Sequence, residues 1–263
     1  MTVLPAVQAE LAAATDRLLA TAASLSDADV AAPSLLPGWT RGHVLAHVAG
    51  NARSHLNLLT WARTGIETPQ YPSPEARSAE IGAAAARPAA RHLADLEDSA
   101  DRLAAAIRDL PYEAWSATVQ GLRPPTHPAW YVLIRRLREV GMHHVDLGTG
   151  YGPRDWPETF VRRELHDLRL SWPYGHGTVS EVVLTGEPGQ RWRNLGQGPA
   201  VRGAPADMLA WLTGRSDGRG VTLVPAGQSS TPGDGGALLP EPPPWLTMPA
   251  PADLPATPPK DYP

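Results

Sequence analysis

Nine histidines and no cysteine set the chemical options of this chain. In the segment RGHVLAHVAGNARSHLNLLTWART, His43, His47, Asn51 and His55 follow one another in steps of four. A helix would align them as one polar stripe, with Val44, Leu45, Val48, Leu56 and Leu59 on its other faces. Such a stripe either faces water or lines a site. In AWYVLIRRLREVGMHHVDLGTG, Glu139 and His143 are again four apart and can point at one spot, while Val132, Leu133, Leu137 and Val140 supply packing. His144 points about 100° away from them. Two histidines and a carboxylate converging from facing helices are a ligand set for a divalent metal, with an open position for water, substrate or a thiolate. Spacing allows a second reading, in which His47 is at the surface and Glu139 forms an ordinary ion pair with Arg135 or Arg136. The missing cysteine excludes disulfides, thiolate ligands from the chain and a cysteine nucleophile together. Any sulfur chemistry here must come from a bound thiol.

The elements that would carry these residues follow from periodicity and punctuation. Residues 2–26 place Leu4, Val7, Leu11, Leu18 and Leu19 at helical spacing. After the Pro/Gly stretch AAPSLLPGWT, Thr40 stands as an N-cap to a second long helix ending near Gly65. A third helical stretch runs from Pro74 to Leu110, with Leu93, Leu96, Leu103 and Ile107 on one face and a break at Pro88. A fourth helix follows the PPTHP turn and is broken by Gly148 and Gly150. Four long helices with short to medium loops predict an antiparallel four-helix bundle. A fifth helical stretch, PETFVRRELHDLRLSW, leads out of it. Beyond Thr178 the period changes: TVSEVVLTG alternates as a strand, RWRNLGQGPAVRG reads as a strand pair, APADMLAWLTGR as a short helix and GVTLVP as a closing strand. The reading is α+β, with a helical bundle over 1–152, a small α/β module over 153–225 and a Pro-rich tail over 226–263 that is extended or disordered.

Composition removes several function classes. The 263 residues carry a formal charge of −4, which leaves no basic surplus for a phosphate backbone, so nucleic acid is not an expected partner. No run approaches the roughly 20 apolar residues of a membrane span, and the first residues lack a basic start, so no membrane partner and a cytoplasmic location are expected. The glycines near Leu195 lack the strand–turn–helix context of a dinucleotide fingerprint, no P-loop lysine follows a glycine run, and no G-x-S-x-G elbow occurs. The Ala, Arg, Pro and Gly bias is that of a GC-rich bacterial genome.

The runs LLPGWTRGHVLAHVAGNA and LREVGMHHVDLGTGY resemble the two signature helices of the mycothiol-dependent maleylpyruvate isomerase family, within the DinB-like metalloenzymes. The resemblance implies a DinB-like four-helix bundle holding a divalent ion, usually zinc, followed by a small sterol-carrier-like α/β module. It implies His47, Glu139 and His143 as the metal ligands, with His43 and His144 outside the ligand set. GPAVRGAPADMLAWLTGRSDG resembles the family's closing motif, which makes Arg215 the candidate for contact with substrate or thiol. The implied function is a metal-dependent enzyme that activates mycothiol as thiolate, for cis/trans isomerisation of a maleylpyruvate-like compound or for S-transfer or thiol exchange on an electrophilic small molecule. The alternatives are a DinB-like metal hydrolase that uses no thiol and a non-catalytic binding or regulatory protein on the same fold. A monomer or weak homo-oligomer is expected. Arg138, Arg202 and Arg219 are further candidates to grip an anionic substrate, Trp39, Trp61, Trp130 and Trp211 to wall its pocket, and Asp146 to orient a ligand histidine.

Overall fold

In the computed structural model residues 2–186, 189–224, 238–243 and 249–263 are described. They contain eight helices and two small sheets, in two compact units. The first unit is Met1–Gly152 with Asp253–Tyr262, and the second is Pro153–Ala252 with Pro263.

The helical unit is built on α1 (Leu4–Ala23), α3 (Arg41–Thr64), α5 (Ala89–Arg108) and α6 (Tyr131–Asp146). Each of α1 and α3 packs against both α5 and α6. Their shared interior is aliphatic, with Leu18, Leu45, Leu58, Leu133 and Ile134 almost wholly removed from water. At about 25 cal/mol per Å² of apolar surface, this burial is the main term holding the helices together. The shorter α2 (Asp27–Ala31) and α4 (Pro74–Ala84) lean on α3.

Local sequence explains the ends of these helices. The first helix is shorter than the 2–26 reading because Ser26 starts a new one, its side chain and that of Asp29 closing a capping box around α2. Thr40 caps α3 and Gly65 ends it in a left-handed conformation, φ 71°. Pro88 separates α4 from α5. Gly42 allows a close approach, since a Cβ there would stand 2.1 Å from the Ala85 carbonyl oxygen just past α4. One element was not anticipated: where a turn was expected, β1 (Thr118–Gln120) and β2 (Thr126–Pro128) form a small antiparallel hairpin beside α3 and α6.

Two cross-links fix α3 against α6, the pair that carries the stripe and the E-x-x-x-H motif. Arg136 of α6 is buried and donates through Nη1 to the Val48 carbonyl and to Asn51 Oδ1, both at 2.8 Å. Arg41 of α3 donates through Nε to the Leu147 carbonyl at 2.7 Å, just past the end of α6. This satisfies a C-terminal carbonyl that the helix itself leaves open.

The stretch 226–263 is partly outside the described residues, including its Gly/Ser-rich start. Its last described part has no helix or strand, but Asp253–Tyr262 belongs to the helical unit. The Val3 amide donates to the Pro259 carbonyl at 2.8 Å and Trp130 Nε1 to the Pro255 carbonyl at 2.8 Å. Buried Tyr262 sets its ring edge-on to Trp130, 5.2 Å away. A chain too proline-rich to form a ladder is thus held by aromatic burial and two backbone acceptors.

In the second unit, α7 (Glu158–Leu170) packs on α8 (Pro205–Leu212). Its sheet has the order β4-β3-β5-β6, formed by Glu181–Leu184 (β3), Gln190–Arg193 (β4), Ala200–Gly203 (β5) and Val221–Leu223 (β6). The strand pair expected over RWRNLGQGPAVRG does not form. Instead β3 lies between its two halves, antiparallel to β4 and parallel to β5. Val182, Trp192 and Val201 are the buried residues that this register aligns across the three strands.

Candidate metal centre

The polar stripe of α3 does not face water. His47, Asn51 and His55 are 4%, 3% and 1% exposed, so the stripe is turned inward against α6. There His47 Nε2 lies 2.9 Å from Glu139 Oε2 and 3.0 Å from His143 Nε2, and His143 Nε2 lies 3.4 Å from the same carboxylate oxygen. The two imidazole rings meet edge to face with centroids 4.5 Å apart. Among the described residues these three form the group of histidine and acidic side chains able to hold a metal ion.

The reading with Glu139 paired to an arginine on its own helix is not what the geometry shows. Arg135 reaches His127 Nε2 at 3.2 Å, and Arg136 turns to α3 as described. The crowding of two imidazole nitrogens and a carboxylate oxygen suits a small cation. Tetrahedral ligands at about 2.1 Å from zinc stand about 3.4 Å from one another, close to the separations found here.

The protonation pattern has identifiable causes. Burial pushes His47 down to about 4, helped by the charge of His143 and opposed by Glu139, so its imidazole is neutral at pH 7. Burial would raise the Glu139 carboxyl, but hydrogen bonds from His143 and His47 outweigh it and hold the group well below the usual carboxylate range. His143 is shifted upward: burial opposes its charge, yet hydrogen bonds to Asp146 and Glu139 prevail. Its Nδ1 donates to Asp146 Oδ2 at 2.8 Å, which leaves Nε2 as the nitrogen facing the centre.

Around the trio, Trp39 presents its ring edge-on to His47 at 5.9 Å. His43 completes the Thr40 capping box and stacks on Trp39 at 5.8 Å, so it is used in the architecture of the helix start. His144 points elsewhere, bonding Thr21 at 2.8 Å and stacking on Tyr151. Arg138 donates to the Tyr131 hydroxyl at 3.3 Å. Of the tryptophans proposed as walls, Trp130 is buried under the tail and Trp211 lies in the core of the second unit. Arg215 also belongs to the second unit, where it follows α8 and donates through Nη1 to the Thr213 carbonyl at 2.7 Å.

Sequence reasoning missed Arg77. It arrives from α4, and its Nη2 lies 3.1 Å from His47 Nδ1 while its guanidinium carbon sits 5.8 Å from the Tyr71 ring centre. Nothing in the Ala- and Arg-rich run that holds it marks it off from a solvated arginine. Asp146 was named as a histidine-orienting candidate, and the structure brings it there.

Residues 11–148 match the family model described as the mycothiol maleylpyruvate isomerase N-terminal domain. The chain belongs to this family. Among solved structures it is similar to the crystal structure of the mycothiol-dependent maleylpyruvate isomerase, at 34% sequence identity and a TM-score of 0.77, covering 84% of this chain and 92% of that one. A structure of a histidine-to-alanine mutant of a mycothiol-dependent maleylpyruvate isomerase is matched at 34% identity and a TM-score of 0.76, with the same coverage. No curated protein matches. No helix among the described residues is long and apolar enough to cross a membrane.

Proposed function

We propose that this chain is a metal-dependent enzyme that activates a low-molecular-weight thiol, mycothiol, and uses it to isomerise a maleylpyruvate-like compound or for S-transfer or thiol exchange, joining the thiol to an electrophilic small molecule. The observation that carries the reading is the convergence of His47, Glu139 and His143 from α3 and α6, with their ligand atoms all within 4.8 Å of one another. In this reading the helical unit is a DinB-like four-helix bundle, the second unit is a sterol-carrier-like module, and Arg215 contacts substrate or thiol.

A divalent ion, zinc by the N and O donor set, would supply one thing there: a thiol held as thiolate at neutral pH, although a free thiol has a pKa near 8.5. Everything else falls to the chain. His47 offers a neutral nitrogen because burial suppresses its charge. Glu139 brings the negative charge that a 2+ ion needs, and its side chain keeps 29% of its surface exposed, so the trio opens on that side. Asp146 holds the His143 ring by its far nitrogen, fixing both tautomer and orientation. Trp39 packs its ring edge-on against the His47 imidazole.

The test is turnover of maleylpyruvate, followed as loss of the cis isomer, by zinc-loaded protein with and without mycothiol. Isomerisation that needs both the ion and the thiol is the expected result. Hydrolysis independent of thiol would instead support a DinB-like hydrolase, and no turnover with any thiol and electrophile pair would support a binding protein.

A further inference from the structure

A pocket of about 410 Å³ in the second unit is lined by Arg162, His166, Arg169, Gln190, Arg191, Trp192 and the last residue, Pro263. Arg162, His166 and Arg169 stand at i, i+4 and i+7 of α7, hence on one face, and Gln190 to Trp192 come from β4 at the edge of the sheet. No side-chain carboxylate lines it. Arg162 and Arg169 make no ion pair among the described residues. Arg191 and Arg193 share the single carboxylate of Glu181, so that partner is already divided between two guanidinium groups. The most telling group is Trp192. Its side chain is 2% exposed, and its indole N–H is buried with no acceptor, whereas the neighbouring Trp172 gives its N–H to the Leu195 carbonyl at 2.8 Å. A buried donor left unpaired is costly and calls for a partner.

Every one of the four residues Arg162, Arg169, Arg191 and Trp192 is a donor without acceptor capacity, and three of them are cationic, in a chain whose formal charge is −4. We propose that this pocket is a binding site for a phosphate group, separate from the metal centre. A phosphate offers up to two charges and several acceptor oxygens, which fits guanidinium forks better than a single carboxylate does. Gln190 adds an amide donor at the rim.

Isothermal titration of the intact protein with inorganic phosphate tests this, using wild type, the double variant Arg162→Gln/Arg169→Gln, Trp192→Phe and His47→Ala. Saturable binding that weakens at least tenfold in the arginine double variant, about 1.4 kcal/mol, and several-fold in Trp192→Phe is expected. His47→Ala should bind as wild type does, which separates this pocket from phosphate on a metal. A parallel titration with a sugar phosphate distinguishes the sources: tighter binding identifies a phosphorylated metabolite, equal binding free phosphate. No saturable binding to wild type, or equal binding by the double variant with unchanged circular dichroism, would overturn the proposal.

Discussion

His47 is held in this structure between one donor and one acceptor. The Arg77 guanidinium can only donate, so His47 Nδ1 accepts from it, and the ring proton then sits on Nε2 toward Glu139. Coordination through Nε2 requires the opposite tautomer, with the proton on Nδ1 and Arg77 turned away. Arg77→Gln, which withdraws the guanidinium donor and its charge from Nδ1, is therefore expected to tighten zinc binding several-fold in a competition with a chromophoric chelator; weaker binding would show that Arg77 supports the metal-bound form. A second expectation concerns protons. Hydrogen bonds to Asp146 and Glu139 shift His143 upward, so it holds its second proton more tightly than a free imidazole and an ion must displace that proton, whereas burial keeps His47 neutral and Glu139 is held ionised. Metal uptake should release protons and become tighter as pH rises, because protonation of His143 competes only on the low-pH side. Zinc affinity measured from pH 5.5 to 7.5 reads this, and an affinity that does not rise with pH would contradict the assignment at His143.

Helices position this site, and their legibility in the sequence differed by element. The second long helix could be read because Thr40, Gly65 and the His/Asn stripe are all local signals, and the E-x-x-x-H pair of α6 could be read for the same reason. Arg77 could not, since it depends on how closely α4 approaches α3, and that approach is set by Gly42 against the Ala85 carbonyl, a long-range fact. The parallel pairing of β3 with β5 was hidden likewise, because strand alternation gives faces but not neighbours. Gly42→Ala should push the end of α4 outward and destabilise the helical unit by about 1–3 kcal/mol, the usual range for overpacking. Thermal unfolding reads this directly, and an unchanged midpoint would mean that α4 is free to shift. Tyr262→Ala, which removes the ring packed on Trp130, is expected to cost about 3 kcal/mol while leaving zinc affinity intact. Loss of zinc affinity would tie the last segment to the metal centre.

For the molecule as a whole, buried neutral histidines set the response to acid. Burial pushes His55 down to about 3 and His47 and His127 down to about 4, against 6.5 for the exposed ring. The unfolded chain therefore takes up protons below 6.5 that the folded chain refuses, and stability falls progressively from there to about pH 3. Denaturant titrations at pH 7, 5.5 and 4 should show a steadily lower midpoint, with His55→Gln reducing the slope; a flat profile would place these rings in contact with water. Family membership and the overall likeness rest on most of the chain, yet the account of its chemistry depends on three side chains. The most direct test is the zinc content of purified protein after reconstitution and dialysis, measured by plasma mass spectrometry for wild type and for Glu139→Gln. One ion per chain in the wild type, lost in the variant without change in helicity, is predicted. A wild type that retains none, or a variant that retains as much, would contradict it.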